Sequence, residues 1–418
     1  MRVGILLSHH LPEIGGGYTF EAEVFQSLVK VGAASGHTFI LFSRQKEPPS
    51  ELSSVRHIEF ISLYRSFKEK VQSMLSRTAE AIINKLQHPT SQFKVQSGNE
   101  KLITKLIENS NIEAVWSLGP HCLTMEVPYI TTVWDLQHRL QPYFPEVSSK
   151  GQWNSREKSY STLLQRSAFI LVGTYAGRAE VERFYQIPPE RIKVIPFPTP
   201  EFTLNASDCF KQVIFEKYNI PDKYLFYPAQ FWAHKNHANL VLAVKWLRDK
   251  YNLTFPVVFS GSNKGTQQYI RQLTAELELS EQVHFLGFVP QEDLISLYRN
   301  AFALTFVTFF GPDNLPPLEA FALGCPVVAS KVTGAEEQLG DAALLVDPKD
   351  PEHIASAIKL LWDDIPLRQK LRERGFERAM KWTGQDYVKG VFSVLDELEP
   401  IRRCWSSPVS DMKLGGCK

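Results

Sequence analysis

The chain has 418 residues, 44% of them hydrophobic, and its 46 lysines and arginines nearly balance 45 acidic residues to give a net charge of +1. This length exceeds one ordinary hydrophobic core and predicts two domains of about 200 residues each. The balanced charge excludes the overall basic field that attracts nucleic acid, so any anion must bind at a local site.

The predicted elements begin with a strand at 3–7, which is too short for a signal peptide. Further strands are predicted at 38–42, 114–117, 129–133 and 169–172, and then at 224–227, 256–260, 283–286, 303–307 and 326–329. Helices are predicted between them, for example at 20–33, 155–166, 239–250, 267–277 and 291–299. This alternation, which occurs twice, predicts an α/β fold with two parallel sheets.

A proline-rich stretch at 195–202, IPFPTPEF, interrupts the alternation and is typical of a stiff linker. We therefore predict an N-terminal domain over 1–198 and a C-terminal domain over 199–382. An amphipathic helix is predicted at about 383–400 and a loose tail over 401–418.

The five cysteines are scattered without metal-ligand or redox spacing, so we expect reduced thiols in a cytoplasmic protein. No apolar run reaches the roughly 18 residues of a transmembrane helix, so any membrane contact is expected to be peripheral. A basic amphipathic helix is predicted at 65–88. It is typical of a helix that covers a core, and it also fits a surface helix that meets a membrane-bound acceptor.

The most informative segment is 309–330, FFGPDNLPPLEAFALGCPVVAS. A buried strand leads into a loop, and two prolines then open a helix, where free backbone N–H groups favour an anion. Glu319 lies one turn inside that helix and can accept hydrogen bonds from two vicinal hydroxyls. The pattern predicts a nucleoside diphosphate site, and the alternative is an ordinary strand–loop–helix unit with a structural glutamate.

Lys235 follows the first strand of the second half, and such a lysine at the carboxyl end of a parallel strand can neutralise a diphosphate. Ser260 and Gly261 end the next strand and would line the same crevice or form a plain turn.

These segments resemble the family 4 retaining glycosyltransferases, or glycosyl transferases group 1. The matching pieces are the Gly15–Gly17 run, YPAQFWAHKNH, FSGSNKG, FLGFVPQEDLISLYRNA and NLPPLEAFALGCPVVAS. The resemblance implies the GT-B fold, in which two Rossmann-like parallel-sheet domains face each other across a cleft. It places the nucleotide sugar on the C-terminal domain and the acceptor on the N-terminal domain, onto which the C-terminal helix packs back.

By this resemblance Lys235 binds the diphosphate, Glu319 the ribose and the backbone near Val289 the base, while the amides of Asn314 and Leu315 cap the phosphates. The full set of nucleotide-sugar-binding residues that it implies is Gly16, Gly17, Gln230, Lys235, Ser260, Gly261, Val289, Asn314, Leu315 and Glu319.

Three positions depart from the family pattern. Gly311 stands where a donor-sugar glutamate is common, and Asp313 is the candidate replacement. Gln230 stands where an arginine is frequent, and Trp134 where a histidine is usual. We predict Asp135, Lys235 and Asp313 as catalytic residues, and we predict acceptor contacts at His138, Arg139 and His10.

The resemblance implies transfer of a hexose, with retention and without a metal or other cofactor. By family frequency the donor is a UDP-sugar such as UDP-glucose. The acceptor is expected to be a saccharide or lipid-linked saccharide of surface polysaccharide synthesis, at the inner face of the membrane. A sugar-nucleotide epimerase of the same fold and a non-catalytic nucleotide-sugar or glycan-binding protein are the alternatives.

Overall fold

The structure is a computed structural model of the chain, and it describes residues 1–7, 15–53, 55–64, 105–206 and 213–404. The predicted helix at 65–88, His10 and most of the predicted tail lie outside these residues.

The first sheet contains seven parallel strands in the order β3-β2-β1-β4-β5-β6-β7. Short apolar runs form its centre because both faces are covered by helices, so residues such as Val3, Phe39 and Ile130 are fully buried. In chain order, β1 to β7 are Arg2–Leu6, Thr38–Ser43, Ile58–Ser62, Ala114–Ser117, Tyr129–Thr132, Phe169–Val172 and Ile192–Val194.

The second sheet contains six parallel strands in the order β10-β9-β8-β11-β12-β13. In chain order, β8 to β13 are Leu225–Pro228, Val257–Ser260, Val283–Phe285, Ala303–Phe306, Val327–Ser330 and Ala343–Val346. The two sheets confirm the predicted fold class.

Helices connect most of the successive strands, as parallel pairing requires. Those of the first part are α1 to α5, at Gly16–Val31, Gln137–Leu140, Pro145–Ser148, Gln152–Arg166 and Tyr175–Tyr185. The linker and second part contain α6 to α14, at Glu201–Leu204, Val213–Tyr218, His237–Tyr251, Gln267–Glu276, Gln291–Asn300, Leu315–Ala322, Ala335–Leu339, Pro351–Asp363 and Ile365–Met380. The last described helix is α15, Gly384–Arg402. Within the described ranges, none of these helices is long and apolar enough to cross a bilayer.

Helix α15 returns to the first sheet and packs on α1. The ring of Tyr387, which is fully buried, meets the Phe20 ring edge-on at 5.3 Å between centroids. Gly384 allows this close approach, since a Cβ there would lie 2.0 Å from Glu23 Oε1. The chain therefore passes between the sheets twice, at Thr199 and at Thr383, which pair in an isolated parallel bridge. The division into an acceptor-binding and a donor-binding domain stays a prediction.

Candidate active site

A cavity of about 490 Å³ lies between the two sheets, where the carboxyl ends of their central strands face each other. We call it the cleft. Helix α1 begins beside it at the Gly15–Gly17 run, and the loops after β8, β9 and β11 form its opposite wall. The predicted site residues that line it are Gly16, Gly17, Asp135, Gln230, Lys235, Ser260, Gly261, Val289, Asp313, Asn314, Leu315 and Glu319.

Lys235 lies in a 3₁₀ turn directly before α8, and its backbone carbonyl accepts a hydrogen bond from the hydroxyl of Tyr227. Its ammonium lies 5.1 Å from the centre of the Phe306 ring. Among the described residues, no carboxylate oxygen is within 4 Å of this ammonium. Burial lowers the pKa of Lys235 to about 8, and the more distant charges of Asp135 and Glu146 oppose that shift. An anion that enters the cleft can therefore become the close partner of this cation.

Glu319 is buried in α11, with 6% of its surface exposed. The hydroxyl of Tyr298 donates a hydrogen bond to Glu319 Oε2 at 2.6 Å and so holds the carboxylate in place. Burial raises the pKa of Glu319 to about 7. A ligand that brings hydroxyl donors to this carboxylate would favour its ionised form.

The tip of α11 is held by hydrogen bonds within the protein. The backbone N–H of Asn314 donates to Gln338 Oε1 at 3.0 Å, and Gln338 Nε2 donates back to the Asn314 carbonyl at 2.9 Å. The Asn314 amide therefore has an internal partner in this structure, and its role in capping a phosphate stays a prediction. Leu315 is the predicted amide that remains, because Pro316 and Pro317 have no N–H.

Two glycines shape this wall of the cleft. Gly261 has φ +137°, and a Cβ there would lie 2.4 Å from the carbonyl oxygen of Ala229. Gly311 also has φ +137°, and a Cβ there would lie 2.5 Å from Asn314 Nδ2. Side chains are therefore disfavoured at both positions. The present conformation of the loop, with its positive φ at Gly311, therefore disfavours the glutamate that the family commonly carries at this position.

Asp313 points across the cleft toward the first sheet. A Cβ on Gly173, at the end of β6, would lie 2.1 Å from Asp313 Oδ2, so the carboxyl group packs directly on the glycine backbone. Burial, followed by the charges of Glu337 and Glu180, raises the pKa of Asp313 to about 7. Burial and the charge of Asp135 likewise raise the pKa of Glu180 to about 7. Two protonatable carboxyl groups thus lie together between the sheets.

Asp135, unlike Asp313 and Glu180, is held in its ionised form. Its Oδ1 accepts hydrogen bonds from Arg156 Nη2 at 2.6 Å and from the backbone N–H of Gln137 at 2.9 Å. Burial alone opposes its ionisation, but the Arg156 guanidinium and these hydrogen bonds hold the pKa of Asp135 below its usual value. Asp135 therefore presents a fixed negative charge to the cleft.

Trp134, which replaces the family's usual histidine, forms an aromatic part of the first-sheet wall. Its indole N–H donates to the Leu118 carbonyl at 3.0 Å, and its ring meets Phe20 edge-on at 6.2 Å. No acid–base group of the kind a histidine offers is present at this position.

The predicted acceptor residues lie away from the cleft or outside the described chain. His138 is fully buried, and its Nε2 lies 3.2 Å from the Tyr185 hydroxyl and 3.3 Å from Glu157 Oε2. Arg139 forms an ion pair with the same Glu157. In this structure both side chains stabilise the packing of α2 on α4 and α5, and their contact with an acceptor stays a prediction. His10 falls outside the described residues.

Sequence reasoning missed three residues of this region, namely Gly173, Glu180 and Glu146. Glu180 is a carboxylate among the buried residues of α5, and a charged residue on an otherwise apolar stripe is the signal that could have indicated it. Gly173 and Glu146 gain their roles only through contacts with the second half of the chain. No local pattern marks such contacts.

A search of the described residues for metal-ligand clusters gives the group His37, Asp396 and Glu399. These side chains do not line the cleft. The metal independence of the reaction stays a prediction.

Comparison with known proteins assigns the fold and matches the second part of the chain to a family. The two facing parallel sheets form the GT-B fold: a glycosyltransferase from Rickettsia africae ESF-5 superposes with a TM-score of 0.66 at 16% identity, and the match covers 97% of this chain and 99% of that one. Residues 210–378, which include the whole second sheet, match the family model described as Glycosyl transferases group 1. This match of the second part of the chain confirms the resemblance seen in the sequence.

Two curated relatives have names that state an activity. O-antigen chain mannosyltransferase B of Escherichia coli is 28% identical over 243 residues, which are 58% of this chain and 64% of that protein. O-antigen chain mannosyltransferase RfbU of Salmonella typhimurium is 30% identical over 196 residues, which are 47% of this chain and 51% of that protein. The chain thus matches between half and two thirds of the length of these relatives.

Proposed function

We propose that the protein is a retaining glycosyltransferase that moves a hexose from a nucleotide sugar to a saccharide or lipid-linked saccharide in surface polysaccharide synthesis. The observation that carries the proposal is the position of Lys235 and Glu319 in one cleft between the two sheets. The family match of residues 210–378 supports glycosyl transfer. The names of the two relatives favour O-antigen as the product class and mannose, rather than glucose, as the hexose.

In this proposal the Lys235 ammonium neutralises the diphosphate as the bond between it and the anomeric carbon breaks. Glu319 holds the two ribose hydroxyls, and Asp313 takes the place of the missing glutamate beside the donor sugar. The acceptor hydroxyl attacks from the face that the diphosphate leaves, and its proton passes to the leaving diphosphate. Lys235 supplies the charge that would otherwise require a divalent cation.

The donor is the finer part of the proposal, and a thermal-shift panel of UDP-glucose, UDP-galactose, GDP-mannose and ADP-glucose tests it. A nucleotide sugar at 100 times its dissociation constant stabilises the folded protein by about 2.7 kcal/mol, so the true donor should raise Tm above the others. The similarity to mannosyltransferases predicts that GDP-mannose gives the largest increase in Tm. If the protein instead uses a uridine nucleotide, the largest increase should come from UDP-glucose or UDP-galactose.

Product analysis then separates the three function classes. Incubation with the donor alone should leave its sugar unchanged or slowly hydrolysed, and addition of an oligosaccharide acceptor should give a glycoside with the anomeric configuration of the donor. An epimerised sugar nucleotide formed without acceptor would favour an epimerase. Donor binding with no turnover across a panel of acceptors would favour a binding protein.

A further inference from the structure

The turn that carries Lys235 is held by hydrogen bonds to residues from the first half of the chain, on the opposite side of the cleft. Glu146, in the short helix α3 next to the first sheet, accepts a hydrogen bond from the backbone N–H of His234 at 3.0 Å. The same oxygen, Glu146 Oε1, lies 2.5 Å from His234 Nδ1. Both side chains are largely buried, with 7% of Glu146 and 13% of His234 exposed. One carboxylate oxygen therefore fixes both the backbone and the ring of the residue that precedes Lys235.

A second contact from the same side holds the adjoining loop. Gln141 Nε2 donates to the carbonyl of Phe309 at 2.9 Å, and the Phe309 N–H in turn donates to the carbonyl of His234 at 2.8 Å. The Phe144 ring stacks on the Phe309 ring at 5.9 Å between centroids. Residues of the first half thus reach the Lys235 turn directly through Glu146 and indirectly through Phe309.

We propose that Glu146 is a positioning residue for Lys235: it orders the phosphate-binding turn when the two sheets approach, and it supplies a negative charge near the ammonium. The proposal rests on the proposed function, because it gives domain approach a consequence for diphosphate binding. In a two-domain enzyme, closure that completes the site excludes water and commits the substrate. Here the completing contact would be the bond between Glu146 and His234.

The charges around the turn agree with this role. Burial opposes ionisation of Glu146, but the hydrogen bonds from His234 hold the pKa of Glu146 below its usual value. Burial lowers the pKa of His234, so a neutral ring donates to an ionised carboxylate at neutral pH. The acids that act on Lys235 are Asp135 and Glu146, and both oppose the burial that lowers its pKa to about 8.

Removal of the Glu146 charge should therefore lower the pKa of Lys235 below about 8. The protonated form exists below that pKa and is lost as the pH rises through it. If turnover needs the ammonium, the alkaline limb of the pH profile moves to lower pH in a Glu146→Gln variant. A contact that only stabilised the interface would leave the position of that limb unchanged.

The chain offers a matched control in Glu157, which lies 3.3 Å from the Nε2 of His138. This second carboxylate–histidine pair lies wholly beside the first sheet and does not reach the cleft. Glu157→Gln removes this pair, together with the ion pair to Arg139, without touching the Lys235 turn, so it reports the effect of losing a partly buried carboxylate away from the cleft.

The experiment uses the full chain as wild type, Glu146→Gln, Glu146→Asp and Glu157→Gln. It measures donor kcat and KM from pH 6 to 10, with the binding of UDP and GDP by calorimetry. We expect Glu146→Gln to lose about 10- to 100-fold in kcat/KM, as misplacement of a binding group does, and to shift the alkaline limb to lower pH. Glu146→Asp, which keeps the charge, should retain the wild-type limb, and so should Glu157→Gln.

A Glu146→Gln profile that superimposes on wild type would overturn the inference, and so would an equal shift in Glu157→Gln. If Glu146→Gln does not fold, the Glu146→Asp variant decides, because a shifted limb with the charge still present contradicts the inference. Failure of the proposed function looks different: wild type would then bind neither UDP nor GDP and turn over no nucleotide sugar.

Discussion

The two walls of the cleft are built in different ways. On the second-sheet wall, Lys235 and Glu319 each follow a buried strand within one local strand–loop–helix unit. On the first-sheet wall, Asp135 takes its charge state from Arg156, and Gly173 matters because Asp313 packs on it from the other half. The second-sheet wall therefore depends on short sequence segments, whereas the first-sheet wall depends on contacts between residues far apart in the chain. The difference suggests where single substitutions act on binding and where they act through packing.

The largest effect is expected at Lys235, the cation of the locally encoded wall. Lys235→Ala should reduce kcat by roughly 10²–10³, since removal of one preorganised group that stabilises developing charge commonly has that cost. Steady-state kinetics with the identified donor measure it. Lys245→Ala, on the exposed face of α8, is the control and should turn over like wild type. Equal activity of both variants would remove Lys235 from the proposed mechanism.

A smaller effect is expected at Glu319, on the same wall. Hydrogen bonds to a charged acceptor contribute about 1.5–3 kcal/mol, so Glu319→Gln should weaken UDP or GDP binding roughly 10- to 100-fold. Calorimetric titration gives the dissociation constants. Glu276→Gln, at an exposed position in α9, should bind as wild type does. Unchanged affinity in Glu319→Gln would mean that the ribose lies elsewhere.

Asp313 tests the first-sheet wall, because its carboxyl group packs on Gly173 of that wall. Because the folded-state pKa of Asp313 is raised to about 7, its contribution to stability is fully present at acid pH and is lost as the pH rises through about 7. Asp313→Asn removes this penalty, so its Tm should exceed that of wild type by roughly 2 °C or more at pH 8. The difference should be smaller at pH 5, and it should nearly vanish only below about pH 4, where this aspartate is protonated in the unfolded chain as well.

Scanning calorimetry at both pH values measures that change. Asp249→Asn, in which an exposed carboxylate beside Lys245 and Arg248 is removed, should give no gain at pH 8. A loss of Tm at pH 8 in Asp313→Asn would show that the carboxylate is stabilised in the cleft, contrary to its contact with Gly173 and its neighbours Glu180 and Glu337.

The smallest expected effect is that of a chelator. Since the proposed mechanism assigns charge neutralisation to Lys235, transfer should proceed at an unchanged rate in excess EDTA. Rates before and after dialysis against EDTA, and after return of Mg²⁺, provide the measurement. Complete loss of activity that Mg²⁺ restores would contradict the assignment of charge neutralisation to Lys235.

The central strands could be predicted from the sequence because burial on both faces leaves continuous apolar runs. The prediction missed Ile58–Ser62, Ile192–Val194 and Ala343–Val346, and each is an edge strand of its sheet. Edge strands are covered less completely, and these three mix buried with partly exposed residues. Their hydrophobic pattern is therefore weaker.

The same reasoning explains the outcome at the site. Lys235 and Glu319 lie at fixed distances from strand ends, so their spacing alone predicted that both would face the crevice. His138 has the same relation to β5, but its side chain turns inward to Glu157 and Tyr185. Which way a side chain turns after a strand depends on the helices that pack nearby, and the sequence of one loop does not contain that information.

The chain crosses from the first sheet to the second near Thr199 and returns near Thr383, and this path has a consequence during synthesis. The core of the first sheet includes Tyr387, Val388 and Val391 of α15. That core is therefore incomplete until the ribosome has released the chain beyond Arg402, by which time the second sheet is already free to fold. The first sheet comes first in the chain, yet it can complete its core only after the whole second sheet has been synthesised.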